Sequence, residues 1–147
     1  MELDVRALPL TRRQLEIWLA QETGQPSREW QLSLFVKIGG MVDRDALKRA
    51  ICQGVREAET SRAGVFEVDG QVFQKAIDYP EIELDFYDLT DSDHAVQAAE
   101  TIASAIQRTP MPLSGPLFRF ALFQTRPDEC YWFTRSEERR VGKECRL

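Results

Sequence analysis

The segment over residues 65–76 restricts the possible folds of this chain more than any other. Residues 65–68 and 72–76 are short runs rich in β-forming residues, and they flank the pair Asp69-Gly70. An Asp-Gly pair between two such runs predicts a two-residue hairpin turn. The chain must therefore contain at least one pair of adjacent antiparallel strands.

Helices are predicted on both sides of this hairpin. Asp43 is placed to cap a helix whose apolar residues recur at steps of three and four. That stripe consists of Ala46, Leu47, Ala50, Ile51, Gly54, Val55 and Ala58. A third helix is expected to open over residues 90–93 and to close at Thr109-Pro110.

The first helix has a more specific start signal. Thr11 can cap it, and Gln14, three residues later, can bond back to the cap residue. Leu10 and Leu15 occupy the positions of a hydrophobic staple. A helix from Arg12 to about Glu22 follows from this pattern.

Further strands complete the predicted order. Residues 30–38 alternate apolar and polar side chains, which predicts a strand with one buried face, and residues 84–89 predict a short strand. Residues 117–123 and 130–133 read as a strand pair around the turn at 126–129. Helices mixed with mostly antiparallel strands indicate an α+β layered fold without internal repeats.

Composition excludes several classes of function. With 147 residues, 43% of them hydrophobic, the chain can form one soluble domain, and it has neither an apolar run of membrane-spanning length nor a signal-peptide pattern. We therefore expect a cytoplasmic protein without a membrane partner. A formal net charge of −5 argues against nucleic acid. Cys52, Cys130 and Cys145 lack metal-site or disulfide spacing, so reduced thiols and no metal site are expected.

Three motifs occur in a specific order. The first runs from residue 8 through Gln14 and Trp18, and the second covers residues 56–66 with Arg62 and Phe66. The third is residues 113–119, which contain Gly115 and Pro116. Together, over about residues 8–135, they resemble the N-terminal part of condensation domains of nonribosomal peptide synthetases. In the second motif the family's usual His and Leu are absent.

The resemblance implies a fold and a reaction. The fold would be the incomplete N-terminal lobe of a chloramphenicol-acetyltransferase-like fold, with a mixed, mostly antiparallel sheet and packed helices. The intact enzyme would join an acyl donor to an aminoacyl acceptor by amide formation. Both substrates would arrive on phosphopantetheine arms of partner carrier proteins, so no cofactor is expected to bind this chain directly.

The family's catalytic motif, His-His-x-x-x-Asp-Gly, would follow the strand at 130–134. Arg135 and Ser136 stand there instead, so no catalytic, cofactor-binding or metal-binding residue is assigned. In the family, an imidazole at this position can orient the acceptor amine or accept its proton, because the unperturbed pKa of an imidazole lies near neutral pH. The single histidine, His94, lies well upstream and reads as a solvated residue at a helix start. The isolated chain is therefore predicted to be inactive.

Three of the family-motif positions have two interpretations. Gln14 and Trp18 could line a substrate channel, but one turn apart on an amphipathic helix they fit packing and capping better. Arg62 could hold a phosphopantetheine phosphate, although pairing with Glu57 or Glu59 is favoured. Phe66 is taken as structural, like the turn pair Gly115-Pro116.

The chain divides into residues 1–135, the partial lobe, and residues 136–147, a non-native or disordered tail. The tail is densely charged, lacks helix or strand periodicity, and resembles vector read-through. Few residues precede the first motif, which predicts a donor carrier in trans. The region over residues 8–38, with Ser27 and Trp30, resembles first condensation domains of siderophore synthetases. Two alternatives remain: a noncatalytic carrier-protein-binding fragment, and a piece of a coenzyme A-dependent acyltransferase of the same fold.

Overall fold

The computed structural model describes residues 7–23, 31–58, 63–76, 82–110 and 118–137. Within these ranges the chain forms three helices and seven strands. They are β1 (Leu8–Pro9), α1 (Arg12–Glu22), β2 (Gln31–Gly39), α2 (Arg44–Glu57), β3 (Ala63–Val68), β4 (Gln71–Ala76), β5 (Leu84–Asp88), α3 (Ala95–Arg108), β6 (Phe118–Arg126) and β7 (Glu129–Glu137). This order confirms the α+β architecture predicted from the sequence.

Four strands form the larger sheet, in the order β2-β7-β6-β5. β2 pairs with β7 and β7 with β6 in antiparallel fashion, whereas β5 and β6 are parallel. A parallel pair requires a crossover, and α3 lies in that connection between β5 and β6. The sheet is therefore mixed, as the family resemblance implies.

The two faces of the larger sheet carry different helices, because successive side chains of a strand point to opposite faces. On one face, three buried residues of α3 cluster with odd-numbered strand residues. The helix residues are Ala99, Ala103 and Ile106, and the strand residues are Ala121, Phe123 and Phe133. On the other face, Ile51 and Val55 of α2 cluster with Phe118 of β6 and with Ile82, which precedes β5. The sheet thus lies between two helices and has a core on each side.

The smaller sheet has the order β1-β4-β3 and contains the predicted hairpin. Asp69 and Gly70 form its turn with φ angles of 51° and 77°. Two consecutive residues in the left-handed region are the hallmark of a type I′ turn, whose twist matches that of the strands. The hairpin prediction is confirmed.

Both predicted helix caps are present. The Asp43 carboxylate accepts a hydrogen bond of 3.1 Å from the backbone N–H of Ala46. At α1, the Thr11 N–H donates to Gln14 Oε1 at 2.8 Å, and the Gln14 N–H donates to Thr11 Oγ1 at 3.3 Å. The second pair is the reciprocal capping box.

Two local predictions were wrong. α3 begins at Ala95 rather than within 90–93, because the Asp88 carboxylate accepts bonds from the N–H and hydroxyl of Thr90 and holds a turn there. In β2, Leu32 and Leu34 are 47% and 52% exposed, while Phe35 on the opposite face packs into the core. The apolar face of β2 is therefore only partly buried.

β7 extends two residues beyond position 135. Ser136 pairs with Leu32, and Glu137 pairs with Gln31. Residues 138–147, the rest of the predicted tail, lie outside the described residues.

Candidate functional site

Gln14, the first family-motif residue, connects α1 to the smaller sheet. Its side chain is buried, and its amide exchanges two hydrogen bonds with the amide of Gln74 on β4, at 3.3 and 3.2 Å. Gln74 Nε2 also lies 3.4 Å from the carbonyl oxygen of Pro9 on β1. The Gln14 side chain therefore joins the cap of α1, β4 and β1 at one point.

Trp18 lies on α1 and Phe66 lies on the smaller sheet, the two units that Gln14 connects. Trp18 is half-buried one turn after Gln14 on α1. Phe66 is 38% exposed on β3, opposite Phe73 of β4. Arg62, Gly115 and Pro116 fall outside the described residues, so their predicted roles stay predictions.

The C-terminal end of β7 is where the family's catalytic motif would follow. Arg135 lies at this end with its side chain fully buried. Its Nη1 donates to the carbonyl oxygens of Ile106 and Thr109, at the C-terminus of α3. The Ile106 carbonyl also accepts from the Thr109 N–H at 3.2 Å. The last carbonyls of a helix carry partial negative charge, so a cation is favourable there. Arg135 thereby fastens the end of β7 to the end of α3.

A second arginine lies next to Arg135 on the same face. Arg119 of β6 is directly opposite Arg135 in the strand register. Its Nη2 forms an ion pair of 2.9 Å with Asp85 of β5. This part of the sheet is cationic, but both guanidinium groups are engaged in contacts within the fold.

His94 lies at the other end of α3. It occupies the N-cap position, makes no side-chain capping bond, and is exposed. The helix of 14 residues separates it from the carbonyls bound by Arg135 by roughly 20 Å, at 1.5 Å per residue. An open depression around His94 also contains Asp93, Glu100 and Arg126, but it does not approach the end of β7.

Among the titrating groups of the described residues, two have shifted pKa values, and neither lies at the C-terminal end of β7. The hydrogen bonds from Thr90, chiefly from its hydroxyl, lower the pKa of Asp88. Burial, with a smaller effect of the Glu129 charge, raises the pKa of Cys130. A thiol that resists ionisation in this way is a poor nucleophile, so Cys130 does not suggest a catalytic site.

In the described ranges no three His, Cys, Asp or Glu side chains are grouped closely enough to hold a metal ion. None of the three helices described is long and apolar enough to cross a membrane.

Sequence reasoning did not single out Arg135. The available signal was its position in the strand. Arg135 is two residues after Phe133 and four after Tyr131, so all three lie on one face of β7, and Tyr131 and Phe133 belong to or contact the α3 cluster. A basic residue in phase with buried aromatic residues must find acceptors inside the fold. The end of a predicted helix was the nearest source of such acceptors.

Comparison with known proteins identifies the family. The Condensation domain family matches residues 5–136. Enterobactin synthase component F of Escherichia coli (strain K12) is 31% identical over 131 residues, covering 87% of this chain and 10% of that protein. The chain thus spans about a tenth of this relative.

Solved structures agree with this assignment. The starter condensation domain of rhizomide synthetase RzmA superposes with a TM-score of 0.84 at 28% identity, over 90% of this chain and 34% of that one. The first condensation domain of the calcium-dependent antibiotic synthetase, at 22% identity and a TM-score of 0.81, shares the fold over 89% of this chain and 32% of its own. This chain, with its α+β lobe and ordered motifs, belongs to the condensation domain family of nonribosomal peptide synthetases.

Proposed function

We propose that residues 1–135 are part of the N-terminal lobe of a condensation domain whose intact form joins a carrier-bound acyl donor to a carrier-bound aminoacyl acceptor. The family match over residues 5–136 carries this proposal. The product is an amide: the acceptor amine attacks the donor thioester carbonyl, and the donor carrier's thiol leaves.

The chain by itself is proposed to be inactive. Amine attack on a thioester needs a group that orients the amine or takes its proton, and an imidazole does this near neutral pH. Residues 136–147 contain no histidine. His94 lies at the far end of α3, roughly 20 Å from the end of β7. Residues 136–147 therefore offer no counterpart to the family's catalytic histidine.

Residues 136–147 are proposed to be foreign to the parent domain. Their charge-rich sequence lacks the His-His-x-x-x-Asp-Gly motif that the family places there. The pairing of Ser136 and Glu137 with β2 is compatible with this, because strand pairing uses the backbone N–H and C=O groups that every non-proline residue carries.

The partners of the intact domain are proposed to be carrier proteins with phosphopantetheine arms, with the donor carrier acting in trans. Similarity to a starter condensation domain supports this arrangement. Solved structures of that domain include a complex with C8-CoA and Leu-SNAC. An acyl thioester and an aminoacyl thioester are accordingly the substrate classes to test, in a cytoplasmic setting.

Two experiments test the proposal. Sequencing the source locus across the codons for Phe133 to Arg135 and beyond should reveal a frame that continues into His-His-x-x-x-Asp-Gly. The domain restored from that frame should form an amide from loaded donor and acceptor carriers, and the 147-residue chain should not. Amide formation by the 147-residue chain would refute its proposed inactivity.

The two alternatives give different results. A noncatalytic carrier-binding fragment would retain loaded carriers in a pulldown while the restored domain formed no product. A coenzyme A-dependent acyltransferase would accept an acyl-CoA with a free amine and ignore carrier-bound acceptors. An uninterrupted frame that ends at Leu147 would favour the first alternative.

A further inference from the structure

No further inference is drawn: the strongest candidate, the apolar surface that Leu32 and Leu34 expose on the α2 face of the larger sheet, on the same face as the buried indole N–H of Trp132, is an unpartnered face, and nothing in the structure shows what covers it.

Discussion

Arg119 and Arg135 lie directly opposite each other on β6 and β7, yet their guanidinium groups bind different partners. Like charges at directly opposed positions destabilise an antiparallel pair unless each is compensated. Arg119 forms its ion pair with Asp85, and both side chains are about one-third exposed. Arg135 is fully buried and donates to the carbonyls that end α3. The two arginines should therefore contribute unequally to stability.

Substitution by methionine, which keeps the aliphatic stem, should separate the two contributions. Arg135→Met should lower the free energy of unfolding by about 2–4 kcal/mol, because buried charge-assisted hydrogen bonds to two carbonyls are lost. Arg119→Met should lower it by at most about 1 kcal/mol, since its ion pair is partly solvated. Urea unfolding followed by circular dichroism measures both. Equal losses would show that Arg135 does not anchor α3 as described.

Local patterns predicted the local features of the fold. The Asp69-Gly70 turn, the Asp43 cap and the Thr11–Gln14 capping box each depend on residues within four positions of one another, and all three are present. Such features depend on short-range sterics and hydrogen bonding, which a single sequence encodes directly.

Features that depend on distant residues were not predicted. The parallel pairing of β5 with β6 joins residues 36 positions apart, such as Leu84 and Phe120, and the contact of Arg135 with Ile106 joins residues 29 positions apart. The exposure of Leu32 and Leu34 reflects how far α2 extends over the sheet, which the alternation within β2 does not reveal. The order of the family motifs carries long-range information, and it predicts that the catalytic motif would follow β7; that placement stays a prediction.

Gln14 provides a test of the connection between α1 and the smaller sheet. Gln14→Ala removes the acceptor for the Thr11 N–H and the paired amide of Gln74, so the free energy of unfolding should fall by about 1–3 kcal/mol. Gln14→Glu keeps the capping acceptor but cannot donate to Gln74, and its effect should be smaller. Thermal and urea unfolding of both variants would measure this.

Gln53→Ala is the matched control for Gln14. Gln53 is exposed on α2 and donates to Glu57 one turn away, so its loss should cost less than about 0.5 kcal/mol. If Gln14→Ala were as mild as Gln53→Ala, the Gln14–Gln74 contact would be dispensable, and a role for Gln14 outside the fold would gain support.

Cys130 should make stability fall at alkaline pH. Because burial raises its pKa in the folded state, its contribution is fully present below the unfolded thiol pKa of about 8.5 and is lost as pH rises through the higher folded value. Urea midpoints from about pH 7 to pH 10 should therefore fall more steeply for the parent than for Cys130→Ala. Parallel curves would contradict the shift.

The same burial predicts slow chemistry at Cys130. With Cys145 replaced by Ser, iodoacetamide should modify the half-buried Cys52 first and Cys130 only on the timescale of unfolding. Peptide mapping by mass spectrometry distinguishes the two thiols. Faster modification of Cys130 than of Cys52 would mean that this part of β7 opens readily.

Gly70 and Gly54 should respond in opposite directions to the same substitution. Both have open space where a Cβ would be added, so no clash contributes in either case. At Gly70 the φ of +77° places alanine in the left-handed region, and Gly70→Ala should destabilise the hairpin by about 1–2 kcal/mol. At Gly54, inside α2, alanine restricts the unfolded chain and should stabilise by about 0.5–1 kcal/mol. Urea unfolding of the two variants gives both signs in one experiment, and a neutral Gly70→Ala would mean that the turn relaxes to another type.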